Sequence, residues 1–135
     1  MNSRTIALKD IRPVISNILK QSSMTADESF QNATLRPILK FQNELLIAVF
    51  HNYIEKHKGT FYDLDAVRKM GYIEQSIQKD VKLRNALKGI IIGQFTIEEY
   101  EIYIKNSSAL NKRMMGMVTE RIKDHVQLLE KTVNT

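Results

Sequence analysis

Arg121 and His125 stand four residues apart near the end of the chain, inside the apolar arc of a helical pattern, and Asn111 faces the same way. A guanidinium on an apolar face needs a partner, because an unpaired charge in a core is costly. Two chemistries answer that need. One is structural: an ion pair to a carboxylate such as Glu74 or Glu101, or a contact across a dimer interface. The other is a pocket in which Asn111, Arg121 and His125 hold an anionic ligand. The structural reading is the default.

Lys79, Lys82, Arg84 and Lys88 crowd the outward part of a segment near residues 80–93, and Lys112, Arg113 and Lys123 follow. Six of these, Lys79, Lys82, Arg84, Lys88, Lys112 and Arg113, form a candidate phosphate-contacting face, since nucleic acids are gripped chiefly through their phosphates. Base stacking would need exposed aromatics beside it; Phe95, Tyr100 and Tyr103 serve equally as core. No helix-turn-helix, ribonucleoprotein or KH signature accompanies the charges. The stretch Asn106–Arg113 puts two hydroxyls and two cations at a helix start, which suits either anion binding or ordinary capping.

The three histidines make a poor metal set. His51 and His57 are six residues apart, roughly 120° around a helix, whereas ligands on one helix share a face at three or four residues. Glu44, His51 and Glu55 share a polar stripe and could bind a metal only with ligands from a second helix. There is no Gly-x-Ser-x-Gly elbow, glycine-rich phosphate loop, dinucleotide fingerprint or His-Glu-x-x-His. With no Cys, thiolate catalysis, zinc fingers and disulfide scaffolds are excluded. No catalytic residue, cofactor or metal ligand is therefore assigned.

Helices must position whatever site exists. The chain has only 2 Pro and 5 Gly, apolar residues recur at three and four, and no alternating strand or hairpin signal interrupts them. Ile11, Val14, Ile15, Ile18 and Leu19 have helical spacing, with Asp10 as N-cap and Pro13 in the first turn. Thr25-x-x-Glu28 is a capping box opening a short helix through Phe30. Pro37 predicts a boundary or kink near Thr34–Arg36. The strongest helix runs from Leu35 to Lys58, closed by Gly59 in the C′ position, with an apolar arc broad enough to include Phe41, Leu45 and Ala48. Asp63 is the expected cap of a helix through Lys79, lined by Leu64, Val67, Met70, Ile73 and Ile77. Asp80 caps the next, with Leu83, Ala86, Leu87, Ile90 and Ile91 inward, up to Gly93. Thr96-x-x-Glu99 is a second capping box, starting a short helix with Ile97, Tyr100 and Ile104 on one side. A last helix runs from about Ala109 to Glu130.

The expected fold is all-α: one bundle of five or six helices around a central long helix. Residues 25–131 form the helical domain, residues 1–24 an N-terminal segment that is partly ordered or a short helix, and residues 132–135 a tail. At 135 residues a single core is large enough to fold without staples. The longest apolar run, Leu45 to Phe50, is far short of the ~20 residues of a membrane span. No signal-peptide core precedes it, so a cytoplasmic protein with no membrane contact is expected. The net charge of +5 is concentrated late: residues 68–135 hold 12 basic and 8 acidic side chains against 8 and 7 before them.

Residues 32–54 (NATLRPILKFQNELLIAVFHNYI), 78–93 (QKDVKLRNALKGIIIG) and 95–122 (FTIEEYEIYIKNSSALNKRMMGMVTERI) resemble a family of small uncharacterised all-helical bacterial proteins, some of which carry an automatic label of glyoxalase. The resemblance implies a helical fold and a bacterial origin, and it brings no functional residue to carry over. Glyoxalase I enzymes use βαβββ modules with His and Glu metal ligands on strands, and this chain shows neither. The functional expectation is a non-enzymatic interaction module that self-associates or binds another protein, because Ile47, Ile54, Val81, Ile92, Met115 and Val126 fall off the main core faces. A nucleic-acid or anion-binding module is the alternative, and a small-molecule enzyme is disfavoured.

Overall fold

The computed structural model describes residues 2–15 and 24–131. Among them there are helices and no strands, and they form a single all-α domain. The helices are α1 (Ser3–Ile11), α2 (Ala26–Phe30), α3 (Arg36–Lys56), α4 (Ala66–Lys79), α5 (Val81–Ile92), α6 (Ile97–Ile104) and α7 (Ser107–Asp124). Short 3₁₀ turns cover Thr60–Asp63 and Val126–Leu128.

Four helices make the core. α3 and α4 each pack on α5 and α7, which also touch one another. Leu39, Leu46, Phe50 and Ile54 of α3 meet Ile73 and Ile77 of α4, Leu83, Leu87 and Ile91 of α5, and Leu110, Met114, Val118 and Ile122 of α7 in one buried cluster. Phe30, Phe95 and Tyr103 close one end through edge-on rings whose centroids are 5.5 Å apart in each pair. Phe50, Tyr53, Phe61 and Tyr72 close the other.

Pro37 does not break the chain. α2 runs into α3 through a π-turn, Gln31–Leu35, with helical dihedrals at Phe30, Gln31, Leu35 and Arg36. Proline cannot donate a hydrogen bond, and the wider turn absorbs that loss: the Arg36 N–H bonds to the Gln31 carbonyl, five residues back. The expected kink is therefore a register change within one continuous helix. At the other end of α3, Lys58 and not Gly59 is the C′ residue. Lys58 (φ 66°) and Gly59 (φ 64°) are both left-handed. The Gly59 N–H bonds to Ile54 and the Lys58 N–H to Glu55, which is a Schellman motif.

Other caps also differ from expectation. Asp65, not Asp63, caps α4 by accepting from the Arg68 N–H; Asp63 belongs to the preceding 3₁₀ turn. Asp80 and Thr96 cap α5 and α6 as expected, the latter in a complete capping box. α7 stops at Asp124, six residues before the expected end, because the His125 side chain turns back on the Arg121 carbonyl.

The N-terminal helix is Ser3–Ile11, capped by Asn2, whereas the expected pattern began at Asp10. Val14 and Ile15 lie outside any helix, and Ile18 and Leu19 lie outside the described residues. α1 is bound by polar groups rather than an apolar face: its only buried residue is Thr5. Arg4 donates to the carbonyls of Phe95 (2.7 Å) and Gly93 (3.1 Å), and Arg12 to that of Gln94 (2.9 Å). These arginines thus satisfy carbonyls at the end of α5, where cations are favourable. Arg12 also forms a bidentate pair with Glu99 at 2.6 and 2.9 Å.

Candidate functional site

The site is built where the π-turn faces α7. Gln31, Arg36, Lys112, Arg113, Gly116, Met117, Glu120, Arg121, Asp124 and His125, with Ile15 at the edge, line an open groove of about 870 Å³. Arg36 is fully outside the core at the first position of α3. Arg121 is half-buried, and its Nη1 donates to the Asn43 Oδ1 at 3.3 Å. Among the described residues neither Arg36 nor Arg121 takes part in an ion pair. Partial burial pushes the Arg121 guanidinium pKa down; Asp124 counters this, and the neighbouring Arg36 charge adds to it. The two arginines therefore repel one another across a cleft in which neither the Glu120 nor the Asp124 carboxylate pairs with them. An anion entering there would relieve that repulsion.

The other groups are held in place. Arg113 Nη1 donates to the Gln31 Oε1 at 2.7 Å, which joins α7 to the π-turn. His125 Nδ1 lies 2.7 Å from the Arg121 carbonyl. A carbonyl only accepts, so Nδ1 carries the proton and Nε2 is left for other partners.

A second groove of about 590 Å³ lies on the other side of α7, lined by Glu74, Ile77, Gln78, Arg84, Lys88, Asn111, Lys112, Met115, Gly116, Thr119 and Glu120. Lys123 pairs with Glu74 and lies 3.8 Å from Glu120. Both acids of this groove are thereby countered, while Arg84, Lys88 and Lys112 form no ion pair among the described residues.

The expected trio of Asn111, Arg121 and His125 is split. Arg121 and His125 share the first groove, but Asn111 lines the second, where its Oδ1 accepts from the Tyr103 hydroxyl at 2.5 Å. The expected ion pair of Arg121 to Glu74 or Glu101 is absent among the described residues; Glu74 is taken by Lys123. The phosphate-contacting face is divided as well. Arg84, Lys88 and Lys112 line the second groove and Lys112 and Arg113 the first. Lys79 lines a separate cleft with Tyr53, Tyr72 and Asp80, and Lys82 is exposed outside all three. Arg36 and Gln31 were not among the expected site residues. Their sequence signal was Pro37, which predicts a disturbance at that point but not that it would aim a guanidinium at α7.

His51 is occupied elsewhere: its Nε2 is 2.5 Å from the Glu130 carbonyl and 3.7 Å from Glu55. Among the described residues no three His, Asp or Glu side chains are placed to hold a metal ion. Among the described residues no helix is long and apolar enough to cross a membrane.

The apolar residues expected to need a partner are mostly covered. Ile47 and Ile54 are buried, and Ile92, Met115 and Val126 pack against the core; only Val81 is exposed. Four of the exposed large apolar residues are on α6. Ile97, Tyr100, Ile102 and Ile104 are 44–54% exposed, while Tyr103 alone is buried. The side that carries Ile97, Tyr100 and Ile104 turns outward.

No family model matches the chain, and neither a curated protein nor a solved structure does.

Proposed function

We propose that this protein is a non-enzymatic binding module whose ligand is anionic and sits in the groove between the π-turn and α7. The observation that carries the proposal is the pair Arg36 and Arg121, which share one cleft with no ion-pair partner. Lys112 is a further donor on the same groove. Charge-assisted hydrogen bonds to a phosphate or carboxylate would satisfy all of them. Calorimetric titration with inorganic tripolyphosphate at low salt tests this. Binding that weakens at least about tenfold in Arg36→Gln, the loss of one charge-assisted hydrogen bond, is the expected result. Absence of heat, or an Arg36→Gln variant that binds as well, would end the reading.

A second reading, self-association, rests on α6. Its exposed Ile97, Tyr100 and Ile104 share one side of the helix. Glu98 and Glu101 edge that side in a chain of net charge +5, so a second, basic copy of the chain is the partner that charge favours. Native mass spectrometry should show a species of twice 15.6 kDa that disappears in Ile97→Glu/Ile104→Glu. A 15.6 kDa monomer at every concentration would dismiss it.

A further inference from the structure

The two grooves are not independent. Lys112, Gly116 and Glu120 line both, and they stand four residues apart, so they form the single ridge of α7 that separates one groove from the other. The lowest point of that ridge is Gly116, where a Cβ would meet nothing within 4 Å. Arg84 and Lys88 lie on one flank, Arg36, Arg113 and Arg121 on the other, and Lys112 on the crest. The acids along this path are Glu74, Glu120 and Asp124; Lys123 engages the first two. No Phe or Tyr side chain lines either groove, and the His125 ring of the first is tied to the Arg121 carbonyl.

We infer that the grooves form one track over the Gly116 saddle, and that the track holds the sugar–phosphate backbone of a nucleic acid. This rests on the anion-binding reading and specifies its ligand. A small phosphorylated molecule would fill one groove only and would leave unused the Lys88 ammonium and the Arg84 guanidinium, whose Nη1 donates to the Gln78 carbonyl at 2.7 Å. A chain of phosphates reaches both flanks and passes closest to α7 where no side chain blocks it. The absence of aromatic platforms makes recognition depend on phosphate and not on base. About five phosphate contacts on a single strand predict binding roughly a hundredfold weaker at about 200 mM than at about 50 mM salt.

The test compares a thymidine oligonucleotide of about twenty nucleotides with inorganic tripolyphosphate, by fluorescence anisotropy and calorimetry at low salt. The panel is the intact protein, Arg36→Gln, Arg84→Gln/Lys88→Gln and Gly116→Leu, each checked for a cooperative circular-dichroism melt with a midpoint no lower than that of the intact protein. On the track, the oligonucleotide is weakened about tenfold or more by all three changes. Tripolyphosphate should be weakened by Arg36→Gln alone. If tripolyphosphate binds but the oligonucleotide is indifferent to Arg84→Gln/Lys88→Gln and Gly116→Leu, the track is wrong while the groove reading stands. If neither ligand binds, both fall. Polyglutamate binding as tightly as the oligonucleotide would transfer the site to acidic proteins and overturn the inference.

Discussion

Glu99 shows how much one side chain can join. It closes the α6 capping box, accepting from the Thr96 N–H at 2.8 Å. It takes both Arg12 guanidinium bonds and the Thr34 hydroxyl at 3.0 Å. Burial pushes its carboxyl pKa up, but Arg12, the Thr96 N–H and Thr34 outweigh that and hold it below the usual range. Its folded pKa is depressed, so its contribution is fully present above the unfolded value of about 4.3 and is lost as pH falls through the folded value. Urea midpoints of the intact protein should therefore drop more steeply than those of Glu99→Gln between about pH 5 and pH 3. Parallel slopes would mean that the carboxylate does not hold α1. At neutral pH Arg12→Ala should cost about 2–3 kcal/mol, because it leaves a partly buried carboxylate unpaired. Lys58 runs the other way. A lysine at φ 66° is strained, and Lys58→Gly should stabilise by about 1 kcal/mol in the same denaturation. The capping role of Glu99 was legible in Thr96-x-x-Glu99. Its partner was not, since a contact between residues 87 apart leaves no local signal.

At the scale of elements, periodicity located the helices well and their faces less well. Asp80, Gly93 and the Leu83–Leu87–Ile91 stripe of α5 were all readable, because a buried helix repeats its apolar residues on one side. α6 defeated the same logic. Its best apolar stripe, Ile97–Tyr100–Ile104, faces solvent because the Thr96 capping box and the Glu99 cluster fix the rotation of the helix and turn Tyr103 inward. In α3, Phe41 and Leu45 are 43% and 47% exposed, so its apolar arc is narrower than its sequence suggests. Val67, 82% exposed on α4, is a further residue of helical spacing with no neighbour to meet. α1 has almost no apolar face and was invisible to periodicity; Arg4, Thr5 and Arg12 attach it to α5 and α6. Arg4→Ala/Arg12→Ala should accordingly release α1 alone. Hydrogen exchange would then accelerate across Ser3–Ile11 while α3, α5 and α7 stay protected. Uniform loss of protection would show that α1 is integral to the core.

For the whole molecule, charge is distributed more tellingly than its total of +5 suggests. Among the described residues the buried side chains are apolar apart from Thr5, Thr34 and Thr96, and no buried side-chain polar atom lacks a partner. Arg36, Arg84, Lys88, Lys112, Arg113 and Arg121 gather on the two sides of α7. The sequence brought Arg121 and His125 to one face and flagged Lys112 and Arg113, but Arg36 joins them only through the π-turn, and Gly116 matters only because two grooves meet at it. Neither fact is written in local spacing. The exposed helix interior at Gly116 also predicts that Gly116→Ala, whose Cβ has open space, stabilises by about 1 kcal/mol. Such a gain would fit a glycine kept for access rather than for folding. The central claim is that Arg36 and Arg121 form an anion site. An amide-resolved NMR titration with tripolyphosphate tests it most directly. Saturable shifts confined to the π-turn, Arg36 and the Lys112–His125 stretch are predicted, with their loss in Arg36→Gln. Shifts scattered over every exposed lysine, or none at all, would contradict it.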